Sequence, residues 1–245
     1  MKKRTKRIGI VFGVVVALII LVLGGFLLKL SLEMRQMSPS ATDKIANGVY
    51  AVKDTFVNLF LIKGANGYIA IDAGNSPKLV MQEIQKLSID PLKVVAVFLT
   101  HSDNDHVAAL ELLINAKIYI SKAEEQMING KTPRFVVIKN KKIAHYQLLD
   151  DNQTINFPGL KVRCIATPGH TPGSMSYVIN DAYLFVGDTI SLKNGKADLF
   201  NEFFNMDSDT EKESIKKLGT LQNLKYVFTA HYGFTDDVSK VFNNE

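Results

Sequence analysis

The stretch Val94-Val95-Ala96-Val97-Phe98-Leu99, followed at once by Thr100-His101-Ser102-Asp103-Asn104-Asp105-His106, decides how this chain is read. Six uninterrupted apolar residues fit a strand buried on both faces. The run stops abruptly in a loop where four groups able to bind a cation lie within six positions. His101, Asp103, Asp105 and His106 are close enough for a tight loop to turn them inward and divide them between two adjacent metal ions. A plainer reading of the same loop is an acidic cap on the next helix, with Asp105 as N-cap and the histidines at the surface.

Three more polar clusters follow predicted strands, and together they outweigh that plainer reading. Thr167 to Ser174, TPGHTPGS, holds His170 between two Pro-Gly turns that stiffen the backbone. Phe185 to Thr189, FVGDT, supplies Asp188, and Thr229 to Gly233, TAHYG, supplies His231. The remaining histidine, His145, reads as a half-exposed strand residue. Strands are expected over 48–53, 55–63, 68–71, 94–99, 117–120, 160–166, 175–179, 183–186 and 226–229. Helices are expected over 77–87, 107–115 and 208–218, with a short one after Ser121. Strand ends gathered on one edge can bring residues distant in sequence into one rigid site.

Outside these clusters, composition mainly excludes. The 245 residues suffice for one well-buried domain plus an extra segment. Of 29 Lys and Arg, seven precede Gln36, as does one of 24 Asp and Glu, leaving 22 basic against 23 acidic residues. The basic character therefore belongs to the leader, and no nucleic-acid partner is expected of the rest. Cys164 is the sole cysteine and excludes an intramolecular disulfide; it sits in an apolar strand pattern and reads as a small core residue.

Ile8 to Leu28 is 21 residues without a charge, which as a helix reaches about 30 Å, the thickness of a bilayer's apolar core. Lys2, Lys3, Arg4, Lys6 and Arg7 precede it and are expected to hold the N-terminus in the cytoplasm, leaving the domain outside a cell membrane spanned once. A cleaved secretory signal is the rival, although its apolar core would normally be shorter. Residues 1–35 are thus expected to be leader and transmembrane anchor, 36–46 a linker, and 47–245 the functional domain.

The ordered set HxDxDH, GHTPGS, GDT and a final histidine resembles the metallo-β-lactamase superfamily, especially its glyoxalase II-like branch, from about Val49 to His231. The resemblance implies an α+β fold, a four-layer αββα sandwich, here preceded by one N-terminal transmembrane helix. It implies that His101, Asp103 and His170 bind a first metal and that Asp105, His106 and His231 bind a second, with Asp188 bridging. Asp72, in the turn IDAGN, would orient the site by hydrogen bonds. Two divalent ions, zinc in the first instance, would activate a water and polarise a carbonyl while Asp105 orients the nucleophile. The implied activity is hydrolysis of an ester, thioester, lactone or amide bond, a β-lactam among them, in a small molecule.

Asp103 departs from the family pattern, which more often has histidine there. Three carboxylates and one hydroxide balance two divalent cations, so the centre is expected to be formally neutral, less attractive to anions and more accepting of iron or manganese. A carboxylate at this position also resembles the flavodiiron branch. Fourteen residues follow His231, so redox chemistry is expected to need a separate flavin partner. A membrane-tethered sensor that binds without catalysis is the third alternative. Lys193 to Asn205, KNGKADLFNEFFN, carries clustered aromatics, read as ordinary packing with a pocket wall as the alternative. Oligomeric state is not legible.

Overall fold

A computed structural model describes residues 2–134 and 139–243, with side chains described from residue 11 onward. The side chains of Lys2, Lys3, Arg4, Lys6 and Arg7 lie outside the described residues. The chain divides into two compact units, Met1–Met37 and Ser38–Glu245. The first is helix α1 (Lys2–Gln36). Over Val11–Gln36 it is long and apolar enough to cross a membrane, and its Leu, Ile, Val and Phe side chains are largely exposed.

The second unit is built on two sheets. Strands β1 (Asp43–Ala46), β2 (Val49–Asp54), β3 (Val57–Gly64), β4 (Gly67–Ile71), β5 (Val94–Phe98), β6 (Lys117–Ser121) and β7 (Tyr146–Leu149) form the first, in that order. It is antiparallel from β1 to β4 and parallel from β4 to β7. The parallel half needs crossovers, and they carry helices α2 (Pro77–Lys86), α3 (Asn104–Val107) and α4 (Glu125–Ile128). Strands β8 (Thr154–Phe157), β9 (Leu160–Ala166), β10 (Met175–Ile179) and β11 (Tyr183–Phe185) lead to the hairpin β12 (Ser191–Lys193) and β13 (Lys196–Asp198). After α5 (Ser208–Gly219) come β14 (Tyr226–Phe228), β15 (Phe234–Thr235) and α6 (Val238–Phe242). The second sheet has the order β15-β14-β11-β10-β9-β8.

Three apolar layers separate four layers of structure. Between the sheets lie Phe60, Ile69, Phe98, Tyr177, Phe185 and Phe228. Leu59, Leu61, Val97 and Leu99 point the other way, toward Val80 and Ile84 of α2. Val178, Leu184 and Val227 meet Leu218 of α5 and Val241 of α6. Because side chains alternate across a strand, β5 is apolar on both faces and reads as an unbroken run, and β3 is apolar on both faces apart from Asn58 and Lys63. Each buried Leu or Phe contributes about 1.5–3 kcal/mol to this sandwich. Helix α2 starts where Ser76 Oγ accepts from Leu79 N and Pro77 fills the first turn, and its buried pair Val80 and Ile84 is spaced one turn apart.

Three expectations are corrected. The helix expected over 107–115 is instead the single turn α3 followed by a 3-10 turn over Ala108–Leu112, kinked at Ala109. Its carbonyls and amides are committed elsewhere: His106 O accepts from Ala73 N at 2.7 Å and Ala108 N donates to Gly74 O at 3.0 Å. The stretch 36–46, expected as a linker, carries β1, and Ser38 N and Ser40 N donate to His231 O and Asn58 Oδ1. His145 is exposed and precedes β7 with φ of 57°, rather than lying in a strand.

Candidate metal centre

All seven residues singled out in the sequence converge at one edge of the two sheets. His101, Asp103, Asp105 and His106 come from the loop after β5, His170 from the turn after β9, Asp188 from the turn after β11, and His231 from the turn after β14. Ligand atoms of His101, Asp103 and His170 lie within 4.8 Å of one another, as do those of Asp105, His106 and His231, and those of His101, His106 and Asp188. Asp188 divides its carboxylate between the groups. Its Oδ2 is 3.9 Å from His101 Nε2 and 3.4 Å from His170 Nε2, while its Oδ1 is 3.3 Å from His106 Nε2 and 3.2 Å from His231 Nε2.

Each imidazole is turned by what its Nδ1 meets. His231 Nδ1 donates to the Phe56 carbonyl at 2.7 Å and His106 Nδ1 to Asp72 Oδ2 at 2.9 Å. Thr100 gives its single hydroxyl proton to Asp72, so Thr100 Oγ1 accepts from His101 Nδ1 at 3.0 Å. His170 Nδ1 meets Asn205 Oδ1 at 3.1 Å. With the proton fixed on Nδ1, every Nε2 lone pair points inward, the orientation a metal-binding histidine needs. The donor atoms fit cations on a direct test: Nε2 of His101, His106 and His231 and Oδ1 of Asp188 are buried and have no hydrogen-bond partner among the described residues. Such atoms are costly unless something else satisfies them.

The electrostatics match. Burial alone would raise the Asp188 carboxyl, but His231, His106 and His170 outweigh it and hold it well below the usual carboxylate range. Burial likewise opposes the shift at His106, whose imidazole is nonetheless pushed up by Asp188, Asp72 and Asp105. For His170 burial prevails and the imidazole is lowered. The side chains of Asp103 and Asp105 are 17% and 21% exposed, against 5% or less for Asp188 and the histidines, so these two carboxylates form the open side.

The local backbone is held by side chains packed behind it. Asp72, at φ of 61°, accepts from Thr100 N at 2.7 Å as well as from His106, joining the end of β4 to the loop after β5. This is the supporting role expected of it. Gly187 has φ of +54°, and a Cβ there would stand 2.5 Å from Thr100 Oγ1, so only glycine lets the Asp188 turn close on the His101 loop. Glu124, which sequence reasoning missed, is buried and accepts from Ser102 N, Ser102 Oγ, Thr171 Oγ1 and Gly173 N. It ties the His101 and His170 loops together.

Arg134 was also missed, since no spacing marks it. Its Nε donates to both oxygens of Asp103, at 2.9 and 2.7 Å, and its Nη2 approaches His170 Nε2 at 3.1 Å. A guanidinium thus stands beside the carboxylate that takes the place of histidine and offsets its charge. Asp103, not Asp105, is the N-cap residue of α3, and it makes no side-chain cap bond because its carboxylate is turned to Arg134. The aromatic cluster touches the site. Phe200 packs edge-on against His170 at 5.0 Å and tilted against His231 at 5.4 Å, while Phe56 stacks on His231 at 5.8 Å. Cys164 is buried, its thiol pushed up to about 12 by burial and by Asp151, as befits a core residue and not a nucleophile.

An αββα sandwich with histidines and aspartates gathered at one sheet edge defines a metal-binding class of protein, and comparison places the chain within it. The sequence model of the Metallo-beta-lactamase superfamily matches residues 52–231, and the chain belongs to that superfamily. It is 32% identical over 125 residues to the probable polyketide biosynthesis zinc-dependent hydrolase BaeB of Bacillus velezensis, covering 50% of this chain and 49% of that one. It is 29% identical over 146 residues to the hydroxyacylglutathione hydrolase of Aeromonas hydrophila, covering 58% and 49%. These matches span about half the length of each relative. Among solved structures, a HARLDQ-motif metallo-beta-lactamase of Cronobacter sakazakii superposes with a TM-score of 0.65 at 22% identity, over 82% of this chain and 81% of that one.

Proposed function

We propose that this protein is a metal-dependent hydrolase that cleaves an ester, thioester, lactone or amide bond, a β-lactam among the candidates, in a small molecule. The carrying observation is the bare inward-facing atoms: Nε2 of His101, His106 and His231 and Oδ1 of Asp188, sharing one space with Asp103, Asp105 and His170. His101, Asp103 and His170 would hold one divalent ion, Asp105, His106 and His231 the other, and Asp188 both. Zinc is the first candidate, supported by the zinc-dependent relative, with iron or manganese admitted by the oxygen donor at Asp103. Bound there, such ions supply Lewis acidity for a carbonyl and lower the pKa of water.

The chain's own residues do the rest. Asp105, the most open of the carboxylates, is placed to orient an attacking water and take up its proton. Half-buried Phe56, stacked on His231, would hold apolar parts of a substrate while excluding bulk water. Helix α1 is proposed as a membrane anchor, its apolar side chains exposed along its length, with the cytoplasmic N-terminus and external domain that the basic leader favours.

The test is turnover by the purified full-length protein, loaded with zinc or manganese, of a chromogenic lactam, a thioester and a lactone. At least one should be cleaved, and Asp188→Ala should reduce cleavage to background. Undiminished turnover in Asp188→Ala, or no turnover of any bond class by protein that retains metal, overturns the reading.

A further inference from the structure

The two halves of the centre differ in what their donor atoms already touch. In the half formed by His106 and His231, both Nε2 atoms and Asp188 Oδ1 are buried and have no hydrogen-bond partner among the described residues, and Asp105 Oδ2 stands 3.6 and 3.4 Å from the two Nε2 atoms. A cation entering there displaces no protein donor from these atoms. In the other half His101 Nε2 is equally bare, but Asp103 and His170 are engaged. Asp103 Oδ1 accepts from Arg134 Nε at 2.9 Å and from Asn140 Nδ2 at 3.2 Å, and Asp103 Oδ2 accepts from Arg134 Nε at 2.7 Å. His170 carries its ring proton on Nδ1, facing Asn205 Oδ1, so its Nε2 lone pair accepts from Arg134 Nη2 at 3.1 Å. The same Nη2 donates to the Phe204 carbonyl, which anchors the guanidinium from the far side.

Arg134 is 4% exposed at its side chain and brings a planar guanidinium to this half of the centre. A divalent ion held by His101, Asp103 and His170 must take the His170 lone pair from Arg134, share Asp103 with it, and then stay beside a fixed positive charge in a buried setting. Like charges at such separation are strongly unfavourable where water is excluded. In the half formed by His106 and His231 no donor among the described residues competes for these atoms.

We infer that Arg134 makes the centre unequal. The protein holds one divalent ion tightly through Asp105, His106, His231 and Asp188, and a second only weakly through His101, Asp103 and His170, where the guanidinium supplies much of the positive charge. This rests on the reading that these residues bind metal at all, and it adds which half is filled and why.

Zinc titration of the chelator-stripped full-length protein, followed by calorimetry and by competition with a chromophoric chelator, tests it without any turnover. One tight equivalent is expected, with a second weaker by about 100-fold or more, the scale of a close like-charge contact in a partly screened interior. His231→Ala should abolish the tight equivalent and His170→Ala should leave it. Arg134→Met, which keeps the apolar stem, should bring the two affinities together. Two equal equivalents in the wild-type protein overturn the inference even if no variant folds, and leave the metal-centre reading standing. Absence of any zinc binding overturns both.

Discussion

At the scale of single residues, the side chains that act on the site through another group are the ones a sequence hides. Glu211 is an example. It is buried, Asn205 donates to it, and Asn205 in turn faces His170. Burial first, and then the charge of Asp188, push its carboxyl from 4.5 up to about 9. A carboxyl with a raised folded-state pKa binds a proton that the unfolded chain releases. Its contribution therefore opposes folding more and more as pH rises from 4.5 to about 9. Glu211→Gln removes that titration. Its thermal midpoint should exceed that of the wild type by several degrees at about pH 8 and approach it at about pH 5; a variant less stable at the higher pH would contradict the buried, protonated carboxyl.

At the scale of elements, the site is a set of loops clamped from behind. Neither α3 nor the 3-10 turn after it is long enough to be stable alone, so the His101 loop keeps its shape through Asp72 at the end of β4 and Glu124 at the start of α4. Glu124 meets four donors from two loops with two oxygens, and its carboxyl is still raised because burial outweighs them. Replacing one oxygen by an amide NH2 turns a donor against donors. Glu124→Gln should cost about 2 kcal/mol or more in urea unfolding, the scale of an unsatisfied buried polar contact, and should loosen His101 and His170 together. A loss below about 0.5 kcal/mol, within the range of ordinary surface changes, would show that the clamp is not needed. Gly173 belongs to the same device, since a Cβ there would stand 2.1 Å from Glu124 N.

At the scale of the whole molecule, the chain joins an apolar helix to a compact unit that contains every residue of the centre. With the proposed anchor, the full chain should sediment with membranes and resist extraction by alkaline carbonate. Protease added outside intact cells should digest the domain. Protection from external protease would place the domain on the other side. A chain beginning at Ser38 should be soluble and bind zinc as the full chain does, because β1 to β15 and all seven site residues lie within it.

The linear order of residues determined the strands, because β3, β5 and β10 are largely buried and carry mainly apolar side chains on both faces. It also determined the candidate ligands, because His101, Asp103, Asp105, His106, His170, Asp188 and His231 each follow a strand in a short recognisable pattern. Periodicity failed over 107–115, where backbone bonds to Ala73 and Gly74 override a helix that local pattern favours. Only the tertiary structure decided what surrounds the centre. Arg134 lies 31 residues from Asp103 and 36 from His170, and Glu124 lies 47 from Thr171. Such contacts arise when crossovers fold back over a sheet edge, and nothing in local sequence encodes which buried charge will meet which.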